Sequence, residues 1–202
     1  MELDHIAIAA RTLEEGTRAV EEVLGISLAP GGRHPLMGTH NRLLSLGPGL
    51  YLEVIAIDPE AAKPAHPRWF RLDEFDGPPR LANWVVRVPD LDAALAAAPK
   101  GAGRPVALER GDLRWRMGVT ETGRLPFDDA FPALIEWEGE AHPSARLPDV
   151  GCRLTRLTVT HPRAEALRAA LPLADTRVSI VPGPDAALMA EIATPLGPRL
   201  LA

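Results

Sequence analysis

The sequence predicts an α+β protein built from repeated βαβββ modules. One strand-like run and one helix precede two or three further strand-like runs, and this order recurs with a period of roughly 70 residues. Proline (21) and glycine (17) punctuate the chain into many short elements. With 46% hydrophobic and 24% charged residues, the chain can bury a real core, which excludes fibrous and disordered readings.

The first cycle opens with a strand over residues 3–10. Thr12 and Glu15 form a Thr-x-x-Glu capping box, so a helix starts there and ends at Gly25. Leu13, Val20, Val23 and Leu24 make one apolar stripe on that helix, which therefore lies on a sheet. A weak strand is expected over 26–29, a turn at Pro30-Gly31-Gly32, and two strands over 42–46 and 50–57 joined by Gly47-Pro48-Gly49. The first module spans residues 1–58, and residues 59–80 read as a proline-rich linker. The second module, 81–139, repeats the order: strand 81–88, helix 91–98, strands 106–109, 113–119 and 133–138. After a linker over 140–152, a third and shorter βαβββ-like module fills 153–202, with strands at 154–160, 177–181, 188–193 and 199–201 and a helix at 164–171.

Charge and segment content narrow the partners. Twenty-two lysines and arginines against 27 acids give a net charge of −5 with no basic block, which argues against nucleic acid. No run approaches the ~18 apolar residues of a membrane span. The opening Met1-Glu2-Leu3-Asp4 carries acids where a signal peptide carries basic residues, so a cytoplasmic chain is expected. Cys152 stands alone and reads as a small buried hydrophobe.

Strand alternation groups the chemically capable side chains. His5 shares a face with Leu3, Ala7 and Ala9, while Asp4, Ile6 and Ile8 lie opposite. Glu53 shares a face with Tyr51, Ile55 and Ile57, so its carboxylate must be paired, protonated or metal-bound, an arginine ion pair being one such partner. Overlaying the cycles with Leu13 on Leu91 sets His5 over Asn83, Ala9 over Arg87, and Glu53 near Glu136. Glu138 shares the face of Glu136, which equally suits a solvated strand. His40, Asn41 and Arg42 form a polar cluster beside Glu53, suited to orienting a carbonyl or carboxylate or simply to ending a strand. Arg87 and Trp115 are candidates for lining the same space. His34, His66, His142 and His161 each adjoin a proline and belong to turns or strand ends.

Asp4-His5-Ile6-Ala7-Ile8-Ala9 followed by a helix and then Tyr51-Leu52-Glu53-Val54-Ile55 resembles the βαβββ module of the vicinal oxygen chelate superfamily, which includes glyoxalase I, extradiol dioxygenases and bleomycin-resistance proteins. Gly38 to Leu44, Ile135-Glu136-Trp137 and His142-Pro143-Ser144 are similar to its glyoxalase-like domain proteins. The resemblance implies modules that close a curved mixed sheet around a cavity, and a divalent ion (Zn, Ni, Mn or Fe) held by the first and last strands of each module. It places His5, Glu53, Asn83 and Glu136 at the matching metal positions, with His5 and Glu53 as ligands and Glu136 as ligand or catalytic base; on the residue reading, His40, Asn41, Arg42, Asn83, Arg87 and Trp115 are the substrate-binding candidates. Asn83 departs from the pattern, because an amide oxygen is a poor ligand beside imidazole and carboxylate. The implied activity is that of a metal-assisted lyase, isomerase or hydrolase acting on an oxygenated small molecule; the alternative is a metal-free, drug-sequestering binding protein. Extradiol dioxygenase chemistry needs a second histidine ligand. Three modules leave one unpaired, so a homodimer is expected.

Overall fold

A computed structural model describes residues 1–202. The first cycle comprises β1 (Glu2–Ala9), α1 (Leu13–Leu24), β2 (Ala29–His34), β3 (Thr39–Ser45) and β4 (Tyr51–Ile57). Thr12 caps α1 by accepting from the Glu15 amide, and Gly25 ends the helix in the left-handed conformation that its missing Cβ permits. The second cycle comprises β5 (Arg80–Arg87), α2 (Leu91–Ala97), β6 (Arg104–Arg110), β7 (Leu113–Val119) and β8 (Ala133–Trp137).

These strands form one curled eight-stranded sheet in the order β2-β3-β4-β1-β5-β8-β7-β6. Within each half the first strand runs parallel to the last, β1 with β4 and β5 with β8, and the halves join through the antiparallel β1–β5 pair. One face carries Ile6, Ile8, Val54, Trp84 and Val86 into a core shared with the helices. The other carries Ala7, Ile55, Val85, Met117 and Ile135 and is concave. The 59–80 segment is not a bare linker: its 3₁₀ turn at Trp69–Glu74 lays Trp69, Phe70 and Leu72 over that concave face.

β2 departs from expectation. The strand takes in Pro30-Gly31-Gly32, read from sequence as a turn, with a register shift between Pro30 and Arg33. A Cβ on Gly31 would stand 2.1 Å from Asn41 Oδ1, so this strand approaches β3 too closely for any side chain.

The third cycle, β9 (Arg153–His161), α3 (Ala164–Ala170), β10 (Val178–Pro182), β11 (Ala187–Thr194) and β12 (Gly197–Leu201), keeps the βαβββ element order with different wiring. Here the strand after the helix pairs directly and in parallel with the first, giving the order β10-β9-β11-β12. Its inner residues, Leu157, Val159, Leu167 and Ile192 among them, join the same core as α1 and β1. The third unit is thus not an unpaired half of a cup, and the module-counting reason for expecting a dimer falls away.

Candidate functional site

The site lies on the concave face, and a bulge assembles it. β1 pairs with β5 as Leu3 with Val86 and His5 with Val85, leaving Asp4 without a partner residue. The extra residue breaks the alternation, so Asp4 meets His5 rather than facing away from it. Its Oδ1 accepts from His5 Nδ1 at 2.6 Å, and its Oδ2 accepts from Trp137 Nε1 and His142 Nε2, each at 3.0 Å. Burial alone would raise the Asp4 carboxyl, but the hydrogen bonds from His142 and His5 and their charges outweigh it and hold this group well below the usual carboxylate range. An ionised Asp4 fixes the proton on His5 Nδ1 and leaves Nε2 facing Glu53, whose Oε2 is 3.6 Å away. Tyr51 stacks on the His5 ring with centroids 4.5 Å apart.

The other Glu53 oxygen accepts from Asn41 Nδ2 at 2.5 Å. Asn41 Oδ1 in turn accepts from the Gly32 amide at 2.7 Å and from an Arg110 terminal nitrogen at 3.3 Å. The same Arg110 nitrogen donates to His34 Nε2 at 3.2 Å, so His34 carries its proton on Nδ1 and donates to Thr39 Oγ1 at 3.0 Å. Burial, and then the Arg110 charge, push His34 down to about 3, which keeps it a neutral acceptor. Neither the Nε nor the second amino group of Arg110 has a hydrogen-bond partner, and no carboxylate pairs with this guanidinium. The pocket over these groups is only about 30 Å³, walled by Trp69, Phe70, Trp115, Met117, Ile135 and Trp137. Through Arg110 it adjoins a groove of about 640 Å³ that runs past Ser27–Gly32, Gly111–Leu113 and Pro143–Pro148.

Of the residues singled out from sequence, His5, Glu53, Asn41 and Trp115 come together here. His40 and Arg42 do not: they pair with Ala56 and Val54 and point to the helix side of β3. Arg87 ion-pairs with exposed Glu2 and stands 4.0 Å from Asp4, at the outer edge of the cluster. Asn83 opposes Ala7 on the concave face but lines a separate cavity, of which Phe70 is the shared wall. Glu136 is the largest correction. Ala7 pairs with Glu53 while Val85 pairs with Ala133, so register gives Ala133, not Glu136, the place of Glu53 in the second half. The Glu136 carboxylate instead accepts from the Leu91 amide at the start of α2, at 2.7 Å, and pairs with Arg116 at 2.8 Å. Sequence reading missed Asp4, His34, Arg110, Trp69, Phe70, Trp137 and His142. For Asp4 the signal was its adjacency to His5, masked by the alternation rule. Arg110-Gly111 falls in the gap between the expected strands 106–109 and 113–119, and nothing local shows that this hairpin end reaches β2.

The donor set fails the test for a divalent ion. The four-donor site implied by the resemblance is reduced to one imidazole and one carboxylate, because Asn83 and Ala133 stand where the second half would contribute and Glu136 lies on the other face. No group of three His, Cys, Asp or Glu side chains converges anywhere in metal-binding geometry.

Comparison with known proteins fits this architecture. The glyoxalase-like domain family matches residues 3–174. A hypothetical protein from Staphylococcus aureus superposes with a TM-score of 0.61 at 14% identity, covering 92% of this chain and 87% of that one. Methylmalonyl-CoA epimerase from Mycobacterium tuberculosis gives 0.45 at 21% identity over 69% and 88%. A hypothetical protein from Bacillus halodurans gives 0.45 at 15% over 69% and 95%. A search of curated proteins gave no match. No helix is long and apolar enough to cross a membrane. With the family match spanning most of its length, and with paired βαβββ units closing one curled sheet, the chain belongs to the glyoxalase-like domain family of the vicinal oxygen chelate superfamily.

Proposed function

We propose that the chain is an isomerase-type enzyme that moves a proton at a carbon next to a carbonyl, on a small oxygenated anion and without a metal. The observation that carries this reading is the buried Asp4–His5–Glu53 row beside an arginine with unused donors. Glu53 Oε2 is the base that takes the carbon-bound proton and returns it to the same or the adjacent carbon. Asn41 holds the other Glu53 oxygen and fixes the carboxylate plane. His5, locked by Asp4 with its proton on Nδ1, uses the unprotonated Nε2 to accept the proton of the neighbouring substrate hydroxyl as the carbonyl becomes an enolate, and returns it to the adjacent oxygen when Glu53 returns the carbon-bound proton. The free Arg110 donors receive the substrate's oxyanion, whose charge a guanidinium fork matches. Only the reacting end enters the 30 Å³ pocket, and the remainder of the substrate lies in the 640 Å³ groove.

The test is wash-in of deuterium from D₂O into α-hydroxy and α-oxo acids, followed by NMR. The expected result is exchange that persists in chelator and falls ~10²–10⁴-fold in Glu53→Gln, with the melting temperature of the variant retained. Exchange that vanishes with chelator and returns with Zn²⁺, Ni²⁺, Mn²⁺ or Fe²⁺ would restore the metal-assisted reading. Saturable binding with no exchange would favour the drug-sequestering alternative.

A further inference from the structure

The groove of about 640 Å³ beyond Arg110 has a selectivity of its own. We infer that it holds an uncharged, apolar tail, so that the substrate is a monocarboxylic 2-hydroxy or 2-oxo acid with a medium-length hydrocarbon chain. This deepens the proposed function and rests on its seating of the anionic group at the spare donors of Arg110.

Strand register leads from the base into the groove. Glu53 on β4 pairs with Leu43 on β3, and Leu43 pairs with Ala29 on β2, so the three form one row across neighbouring strands. Paired residues share a sheet face and strands lie ~4.8 Å apart, which puts Ala29 about 10 Å from the base along this row. Leu43 is buried yet belongs to neither apolar core, and both it and Ala29 line the groove. A substrate whose reacting carbon sits at Glu53 therefore lays its remaining chain over leucine and alanine. Leu28, Leu113 and half-buried Leu147 continue that surface.

Charge excludes other tails. Apart from Arg110, the charged side chains of the groove are Asp112 and Arg146, and they satisfy each other through two hydrogen bonds, at 2.7 and 2.5 Å. No unpaired cation awaits a second carboxylate or a phosphate, and no unpaired acid awaits an ammonium. Arg110 itself lines both pocket and groove. A Cβ on Gly32 would stand 2.5 Å from Arg110 Cδ, so the arginine stem lies flat against β2 at the boundary between head and tail.

Saturated carboxylates bind without reacting and so read the groove apart from the chemistry. In calorimetric titrations, affinity should rise from butyrate through hexanoate to octanoate, by about two- to fourfold per methylene placed against the leucines. Suberate, equal to octanoate in length but charged at both ends, should bind no better than butyrate. Ala29→Trp, filling the groove from a half-buried position, should remove the octanoate gain. So should Leu147→Asp, in the bend after the 3₁₀ turn at Pro143–Ala145, which serves if the first variant does not fold. Equal affinity for butyrate and octanoate, binding of neither, equal affinity for suberate and octanoate, or a gain that survives in a folded variant overturns the inference. Deuterium wash-in reads the proton transfer separately. A length preference without exchange leaves the tail site standing and overturns the isomerase reading; exchange on short acids with a flat length profile does the reverse.

Discussion

At the scale of single residues, Asp4 does the most with the least exposure. It is fully buried and takes three N–H donors, so replacing it leaves His5, Trp137 and His142 with an uncompensated partner. Asp4→Asn is expected to lower stability by roughly 3–5 kcal/mol, the cost of breaking a buried charged pair, measurable by urea denaturation. Its folded pKa is depressed, so its contribution is complete above the ordinary aspartate value of 3.8 and drains away as pH falls below it. His34 acts earlier in the same direction. Its folded pKa of about 3 lies below the ordinary 6.5, so the unfolded chain takes up a proton first and stability declines as pH falls from 6.5 towards 3. That single proton gives a slope of about 1.4 kcal/mol per pH unit, and His34→Gln should flatten it in denaturation curves taken between pH 6 and 4.5. His5 and Glu53 were legible in the sequence because each was polar on a small or apolar strand face. Asp4 was not, because alternation assigns a residue to a face and a bulge moves it to the other.

Elements were read more securely than their pairing. The capping box located α1 to the residue, and β7 ran as periodicity indicated. What failed was anything set by register. Glu136 looked equivalent to Glu53 on a chain overlay, yet three residues separate it from Ala133, the true counterpart, and an odd shift exchanges sheet faces. β2 was read as a turn because glycines usually mark one; here they mark two backbones in close contact. Gly31→Ala tests that explanation. Its Cβ would fall 2.1 Å from Asn41 Oδ1 and 2.4 Å from the Asn41 carbonyl, so the variant should lose about 1–3 kcal/mol. It should also disturb the Asn41–Glu53 hydrogen bond, with deuterium wash-in as the functional readout. The covering turn at Trp69–Glu74 was hidden for another reason: a short non-periodic segment with Phe70 and Arg71 in left-handed backbone leaves no pattern to read.

For the molecule as a whole, the helices and the third sheet share one core with the convex face of the large sheet, and the Leu81 amide donates to the carbonyl of Ala202 across the boundary. Calorimetry is therefore expected to show one unfolding transition, with the third unit melting together with the curled sheet; two separated peaks would contradict a shared core. The curled sheet itself ends in an unfinished ring. Strands β2 and β6 close upon one another without a hydrogen-bonded ladder, and the span between them is bridged by Arg110 reaching from β6 to Asn41 and His34. This makes the guanidinium a latch on the seam as well as the anion-binding group of the proposed mechanism. An anion seated on its spare donors neutralises the latch's charge without unfastening it, so occupancy and ring closure reinforce each other. Breathing of the seam should then be damped on binding, with slower amide exchange along residues 29–34 and 104–110 and no change in the central β1–β5 pair.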